Sequence, residues 1–290
     1  MGVQTQARAG VLTLLGEAAR YLVRGALGLL YPFHCYLCNK PIESGYLCPE
    51  CYAGLPRLCP PLALASASPS ISGSTPGAIC GRCGLPLEDP KVDLCDGCAG
   101  RPWFFEQARS FGFYEAGLEE LIKGFKFKGE RALARELARY LFEAGGELLA
   151  QAEALTFVPM TRRRLRSRGF NQAELLAREL GRLTGLPVVP ALVKVRETED
   201  QVSLRPDERW KNVQGAFAAV DLDGVGRFDR ILLIDDVYTT GATAEECSRA
   251  LREGGYSTVF VLTVARTRPR PEPKPELKLK PKGKEAGDGA

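Results

Sequence analysis

The sequence predicts an α/β domain with a mainly parallel sheet flanked by helices, preceded by a small cysteine-rich domain. Three observations predict it. Between residues 103 and 266, strand-like and helix-like segments alternate, the pattern of a parallel sheet whose strands are joined by crossover helices. Nine of the ten cysteines fall before residue 103, eight of them in four Cys-x-x-Cys pairs. Residues 231 to 243, Ile-Leu-Leu-Ile-Asp-Asp-Val-Tyr-Thr-Thr-Gly-Ala-Thr, place four aliphatic residues, two adjacent carboxylates and a Thr/Gly loop directly ahead of a helix. At 290 residues and 45% hydrophobic content, the chain is long enough for about two domains.

The first 31 residues read as an amphipathic helix. Val11, Leu15, Ala19, Leu22, Ala26 and Leu29 share one face, and Thr13, Glu17, Arg20 and Arg24 share the other. Those charges interrupt the apolar run well short of a bilayer span, so no transmembrane segment is expected. The helix is expected to pack on the cysteine-rich domain rather than on a membrane surface, and the chain is placed in the cytoplasm.

Residues 32 to 102 are expected to form a double zinc ribbon. Cys35, Cys38, Cys48 and Cys51 read C-x2-C-x9-C-x2-C, and Cys80, Cys83, Cys95 and Cys98 read C-x2-C-x11-C-x2-C. Each set can wrap four thiolates around one Zn²⁺, so about two structural zinc ions per chain are expected. A disulfide framework belongs to short secreted chains, and a redox Cys-x-x-Cys stands alone at a helix start; neither accounts for four pairs. Sequential sets and an interleaved cross-brace use the same residues, so spacing leaves the pairing open. Pro60 to Ala78, rich in Pro, Ser and Ala, is a flexible insert between the ribbons. Cys59 is read as free or an alternate ligand, Cys247 as a buried structural cysteine. His34, the only histidine, is read as structural.

The α/β domain, residues 103 to 266, is then read in order. Ala108 to Tyr114 is a strand, and Leu118 to Lys123 starts a helix that breaks near Gly124. Residues 129 to 150 form a long helix with Leu133, Leu137, Leu141 and Leu148 on its apolar side. Leu155 to Pro159 is a strand, Gln172 to Leu183 a helix, and Pro187 to Val195 a strand. Ala216 to Val220, Arg230 to Asp236 and Thr258 to Ala265 complete the strands. Residues 267 to 290, rich in Pro and charge, form a disordered basic tail.

Charge excludes one class of function at the global level. The formal charge is +4, but residues 266 to 290 hold eight Lys/Arg against four Asp/Glu, so the rest of the chain is neutral. There is no overall basic footprint for nucleic acid, and any such contact must come from local patches.

The chemistry concentrates after the strand at 230 to 236. Asp235 and Asp236 can reach the vicinal hydroxyls of a sugar, while Thr239, Thr240 and Thr243 offer hydroxyl donors. Gly241 lets the backbone approach a phosphate, and the helix start at Ala242 supplies free N–H groups. Open parallel sheets bind ligands at this end of their strands. The arrangement suits a ribose carrying a phosphate, and it resembles the phosphoribosyl-diphosphate (PRPP) signature of type I phosphoribosyltransferases. Between the strand ending at Pro159 and the next helix, an arginine-rich loop includes Arg162, Arg163 and Arg164, which can grip a pyrophosphate in bidentate fashion. A solvated basic loop, or a contact to a nucleic-acid backbone, is the competing reading. Lys126 and Lys128, on one side of an extended segment, can also reach a diphosphate.

The whole layout resembles the ComF family, also called GntX-type competence proteins. The resemblance covers about residues 30 to 265. It rests on the cysteine pairs, the Phe-Lys-Phe-Lys-Gly segment at 125 to 129, Arg168-Gly169-Phe170-Asn171-Gln172, and the run at 231 to 243. A fifth match is Arg196-x-Thr198-x-x-Gln201-x-x-Leu204 with Arg209-x-x-Asn212-Val213. The resemblance implies a type I phosphoribosyltransferase fold behind a zinc-ribbon domain, PRPP or ribose-phosphate binding with Mg²⁺, and a role in DNA uptake. It also places a mobile hairpin near 196 to 209, whose Arg196, Arg205 and Arg209 would cover the diphosphate. Two function classes stay open. One is phosphoribosyl transfer to an unidentified acceptor; the other is a non-catalytic module binding single-stranded DNA or a helicase partner. No catalytic residue, acceptor or oligomeric state can be read from the sequence.

Overall fold

A computed structural model of the chain describes residues 33–58, 78–199, 205–221 and 228–269. The helix expected over the first 31 residues, Cys59, nearly all of the insert at 60 to 78 and the chain after residue 269 lie outside the described residues. The first cysteine module holds a short antiparallel pair, β1 (Phe33–His34) and β2 (Pro41–Ile42), and helix α1 (Pro49–Ala53); the second holds α2 (Asp96–Ala99). The α/β domain comprises β3 (Gln107–Phe113), α3 (Ala116–Phe127), α4 (Leu133–Gln151), β4 (Ala154–Phe157), α5 (Arg162–Arg168) and α6 (Gln172–Thr184). It continues with β5 (Leu192–Lys194), α7 (Pro206–Val213), β6 (Phe217–Ala219), β7 (Arg230–Tyr238), α8 (Ala242–Glu253) and β8 (Thr258–Arg266).

β3, β8, β7 and β4 lie side by side in that order, all parallel, the sheet that the alternation predicts. β7 and β8 take the centre because their apolar runs, Ile231 to Ile234 and Val259 to Leu262, are buried throughout, as strands covered on both faces must be. Their pleat divides the core. Leu232, Ile234, Phe260 and Leu262 pack with Leu137 and Leu141 of α4 and Leu176 and Leu180 of α6. Ile231, Leu233, Val259 and Val261 pack with Ala250 and Leu251 of α8. The two cysteine modules join different halves: Leu55, Tyr36, Leu37 and Tyr52 of the first pack into the α4 side, whereas Cys80, Cys83 and Cys98 of the second are buried on the α8 side.

Several expectations change. Helix α3 does not break near Gly124 but runs on to Phe127. Gly124 is there for closeness: a Cβ would lie 2.0 Å from the Tyr36 hydroxyl oxygen. Lys126 therefore sits on the last turn of α3 and Lys128 at its C-cap, instead of along an extended segment. The helix expected from residue 129 begins at Leu133, because Gly129 turns the chain at φ 70°. The arginine-rich segment is a helix rather than a loop. Thr161 caps it by accepting from the Arg164 amide, Gly169 ends it at φ 80°, and arginine is itself a good helix former. The strand expected over 187 to 195 shortens to Leu192–Lys194, with Val188 adding only a parallel bridge to Leu155. β7 runs past both carboxylates to Tyr238, so Asp235 and Asp236 lie within the strand rather than at its end.

The ordered body also passes residue 266. The Thr267 amide donates to the Tyr238 carbonyl at 2.9 Å. Arg268 pairs with Glu115 at 2.6 Å and covers the Phe113 ring at 3.7 Å. Truncation after Pro269 is expected to leave the thermal midpoint unchanged, since the Pro- and Lys-rich sequence beyond that residue offers no apolar face to bury. Truncation after Arg266 removes an exposed ion pair, a backbone hydrogen bond and a ring contact, and is expected to lower it by about 2–4 °C. Paired thermal melts check both.

Candidate functional site

The structure resolves how the cysteines pair. Cys35, Cys38, Cys48 and Cys51 converge, as do Cys80, Cys83, Cys95 and Cys98, with the sulfurs of each set within 4.8 Å of one another. The pairing is sequential, and the cross-brace is excluded. Cys38 and Cys48 sulfurs are 3.6 Å apart and those of Cys83 and Cys95 3.7 Å. That is far beyond a disulfide and close to the roughly 3.8 Å edge of a zinc tetrathiolate with bonds of about 2.3 Å. Backbone amides orient the sulfurs: the Cys51 amide donates to Cys48 at 3.4 Å and the Cys83 amide to Cys80 at 3.5 Å. Each set thus fits one Zn²⁺. His34 lies exposed on β1, and Cys247 is fully buried in α8 as expected.

A cavity of about 370 Å³ opens at the carboxyl ends of the sheet strands. It is lined by Tyr114 after β3, Lys126 of α3, Arg209 of α7, Asp235, Asp236 and Tyr238 of β7, and Thr239, Gly241 and Thr243 around the start of α8. Lys126 Nζ is 2.7 Å from an Asp236 carboxylate oxygen, both side chains mostly buried. The Asp236 amide donates to Asp235 Oδ1 at 2.8 Å. Burial first, and the neighbouring Asp236 charge second, push the Asp235 carboxyl up to about 7, against the pull of Lys126, the Asp236 amide and Lys194.

Gly241 shapes the loop. It holds φ 82°, and a Cβ there would lie 2.3 Å from the Tyr238 hydroxyl oxygen. The Thr240 hydroxyl accepts from the Ala242 amide at 3.4 Å, and Ala242 is buried. Thr240 belongs to the turn and Ala242 opens α8, and neither lines the cavity. The same holds for other expected residues. Lys128, Arg162 and Arg163 are exposed and outside the lining. Arg164 donates to the Thr198 carbonyl at 3.1 Å.

β5 and β6 form the antiparallel stem expected of a hairpin. Arg196 donates to the carbonyls of Asn212 and Gln214 at 3.0 and 2.7 Å, and the Asn212 side chain exchanges hydrogen bonds with the Glu199 backbone. Arg196 and Asn212 therefore staple the hairpin together. Arg205 engages Glu208, and only Arg209 of the three named arginines reaches the cavity lining. Two residues escaped the sequence reading. Tyr114 could have been found as the residue leaving β3 at the sheet's carboxyl edge. Lys194, drawn down in pKa by burial and then by Arg164, bonds Thr198 at 2.7 Å; no local motif announces it.

Comparison with known proteins gives concordant relatives. The chain is 33% identical over 193 residues to Competence protein F of Haemophilus influenzae, covering 64% of this chain and 84% of the relative. It is 30% identical over 252 residues to DNA utilization protein YhgH of Salmonella typhimurium, covering 82% and 99%. Competence protein ComFC of Bacillus subtilis is 29% identical over 188 residues, covering 62% and 73%. No family model matches the chain. Among solved structures, orotate phosphoribosyltransferase from Aeropyrum pernix matches at 20% identity and a TM-score of 0.27, over 48% of this chain and 72% of that one.

Two outcomes are expected of the purified protein. Metal analysis should find about two zinc ions per chain; one zinc, or oxidised cysteine pairs, would contradict the two tetrathiolate sets. Asp235 should also make the free protein less stable at high pH. A carboxyl raised to about 7 holds its proton more tightly folded than unfolded, so its contribution is intact near pH 4 and lost as pH rises through 7. Asp235→Asn should match wild type near pH 4, draw ahead between pH 4 and 7, and exceed it by about 2–4 kcal/mol at pH 8.5 in denaturant melts.

Proposed function

The chain belongs to the ComF family, and on that premise we propose that its cavity binds a phosphorylated ribose, PRPP or a close analogue, within a protein of DNA uptake. The observation that carries the reading is the carboxylate pair, Asp235 and Asp236, standing beside a glycine turn and the start of a 12-residue helix at the carboxyl end of a parallel sheet. Vicinal ribose hydroxyls donate to the two carboxylates, which fixes the sugar's orientation. The 5′-phosphate takes the mouth of α8, where Thr239, Gly241 and Thr243 surround the first turn and the helix dipole favours an anion. Arg209 of α7 faces the diphosphate side, and Lys126 shifts its charge from Asp236 toward the ligand.

Two neighbouring carboxylates, one pushed up toward neutrality, are the donor set that a hard divalent cation suits, and Mg²⁺ would supply charge neutralisation for a leaving diphosphate. The chain's own part in such a transfer is to anchor the phosphate, hold the ribose and exclude water beneath the hairpin. The ionised Asp235 accepts hydrogen bonds from ribose hydroxyls at both oxygens and more strongly than the neutral carboxyl, so affinity should rise with pH through about 7.

A second reading is favoured by α5, which holds five arginines in seven residues and no acidic residue, with Arg162 and Arg163 turned to solvent. Such a helix suits a nucleic-acid backbone, and the relatives named for competence and DNA utilization point the same way. Calorimetry separates the two. With Mg²⁺, wild type should give binding heat with PRPP, ribose 5-phosphate or pyrophosphate, and the double change Asp235→Asn with Asp236→Asn should lower PRPP affinity at least tenfold. Arg162→Ala with Arg163→Ala should weaken salt-sensitive binding of single-stranded DNA and leave ribose 5-phosphate untouched. No heat with any of the three ligands at millimolar concentration, alongside tight DNA binding, would favour the binding module.

A further inference from the structure

Three contacts join the second cysteine set to the phosphate loop. Arg266, at the end of β8, donates to the Cys83 carbonyl and lies 3.5 Å from the Cys83 sulfur. The same guanidinium faces the Tyr238 ring at 5.2 Å, and the Tyr238 hydroxyl backs directly onto Gly241. Trp103 donates its indole N–H to the Cys98 carbonyl at 3.3 Å, and its ring would lie 3.3 Å from a Cβ on Gly241. Next along the chain, the Phe104 amide donates to both carboxylate oxygens of Glu245, in the first turn of α8, at 3.1 and 2.9 Å. Beyond them, the Arg101 guanidinium is stacked between Trp103 and Trp210 of α7, 3.9 and 3.6 Å from the two rings. Arg209, beside Trp210, lines the cavity. The first cysteine set is seated elsewhere, on α4, where Tyr52 and Arg57 both bond Glu143, and on α3, where Tyr36 packs against Gly124.

Charge makes the first of these contacts depend on metal. Arg266 is 4% exposed, and a buried guanidinium needs a counter-charge. Four thiolates around one divalent ion carry two negative charges in excess and supply it next to Cys83. Without the ion the set has no reason to keep its four sulfurs together, and both Arg266 and Trp103 lose the wall that they lean on.

We propose that metal loading of the Cys80, Cys83, Cys95 and Cys98 set is energetically coupled to anion binding at the Thr239 to Thr243 loop, with Arg266 and Trp103 as positioning residues. The first cysteine set lacks this coupling. The proposal rests on the phosphoribose reading of the cavity. Coupling is reciprocal: a ligand that tightens the loop must hold the second metal more firmly by the same factor as the metal favours the ligand.

The chain's two tryptophans, Trp103 and Trp210, both stand at this junction, so their fluorescence reports metal loss from the second set. Zinc-loaded full-length protein is mixed with a colorimetric chelator, with and without saturating Mg²⁺ and pyrophosphate or ribose 5-phosphate. Absorbance follows all zinc, fluorescence the second set. The ligand is expected to slow the fluorescence-detected phase at least about fivefold, within the usual span of coupling between sites, and to leave the other phase unchanged. Arg266→Met, checked for two zinc ions and an unchanged far-UV spectrum, should lose that slowing; if it does not fold, Trp103→Phe takes its place. Binding heat in wild type with no change in either release phase overturns the coupling alone, as does full slowing in the Arg266 variant. No binding heat with any ligand overturns the cavity reading, and the coupling with it.

Discussion

Two carboxylates on successive residues of a central strand repel each other, and much of this site answers that repulsion. Asp235 and Asp236 come directly after four fully buried aliphatic residues, so water is a poor source of screening on the strand side. The fold brings cations instead: Lys126 from the last turn of α3 pairs with Asp236, and Lys194 from the hairpin stem acts on Asp235 at longer range. Neither fully offsets the burial, which leaves Asp235 titrating near neutral pH. A pair held at such cost is disposed to take a ligand that donates protons or brings positive charge. Stability and binding are opposed at this point in the chain.

The loop between β7 and α8 depends on glycine for two separate reasons. At residue 241 the backbone needs positive φ, and the Tyr238 hydroxyl leaves no room for a side chain. Tyr238 is in turn fixed by Arg266 and by an edge-on contact with Phe105, both leading back to the second cysteine module. The modules thus differ in what they do for the α/β domain. The first is clamped to α4 through Glu143 and backs α3 at Gly124; the second forms the rear wall of the Thr239 to Thr243 loop. With two small cysteine modules packed on opposite faces of one sheet, one serves as a staple and the other backs the loop at the cavity.

Elements whose signal is local were legible in the sequence. The apolar run of β7, the eight cysteines and the Thr-Thr-Gly-Ala-Thr loop carry their chemistry in consecutive residues or fixed spacings, and family resemblance added Arg209. Most of the features that escaped depend on contacts made across the fold. Gly124 reads as a helix breaker until Tyr36 of the cysteine module is found packed against it, and the helix then continues to carry Lys126 to Asp236. The arginine run reads as a loop because its charge dominates, although Thr161 and Gly169 are ordinary capping signals that bound a helix. Arg196 reads as a ligand contact, yet two backbone carbonyls within the hairpin take its donors. A guanidinium's partner is set by tertiary geometry, and sequence spacing alone cannot choose between a phosphate and a carbonyl.

The charge balance of the cavity bears on what can enter it. Lys126 and Arg209 stand against Asp235 and Asp236, so the lining is close to neutral when both carboxylates are ionised. A sugar bearing a 5′-phosphate and a diphosphate brings several negative charges, more than one helix start and two cations can neutralise at short range. The arginines that could have closed the gap are committed elsewhere: Arg164 and Arg196 hold the hairpin, and Arg162 and Arg163 face solvent. Under the proposed reading, the missing positive charge must therefore arrive with the ligand as a divalent cation. Free diphosphate without that cation is then the poorer ligand, and it is poorer still above pH 7, where Asp235 adds its own charge to the repulsion.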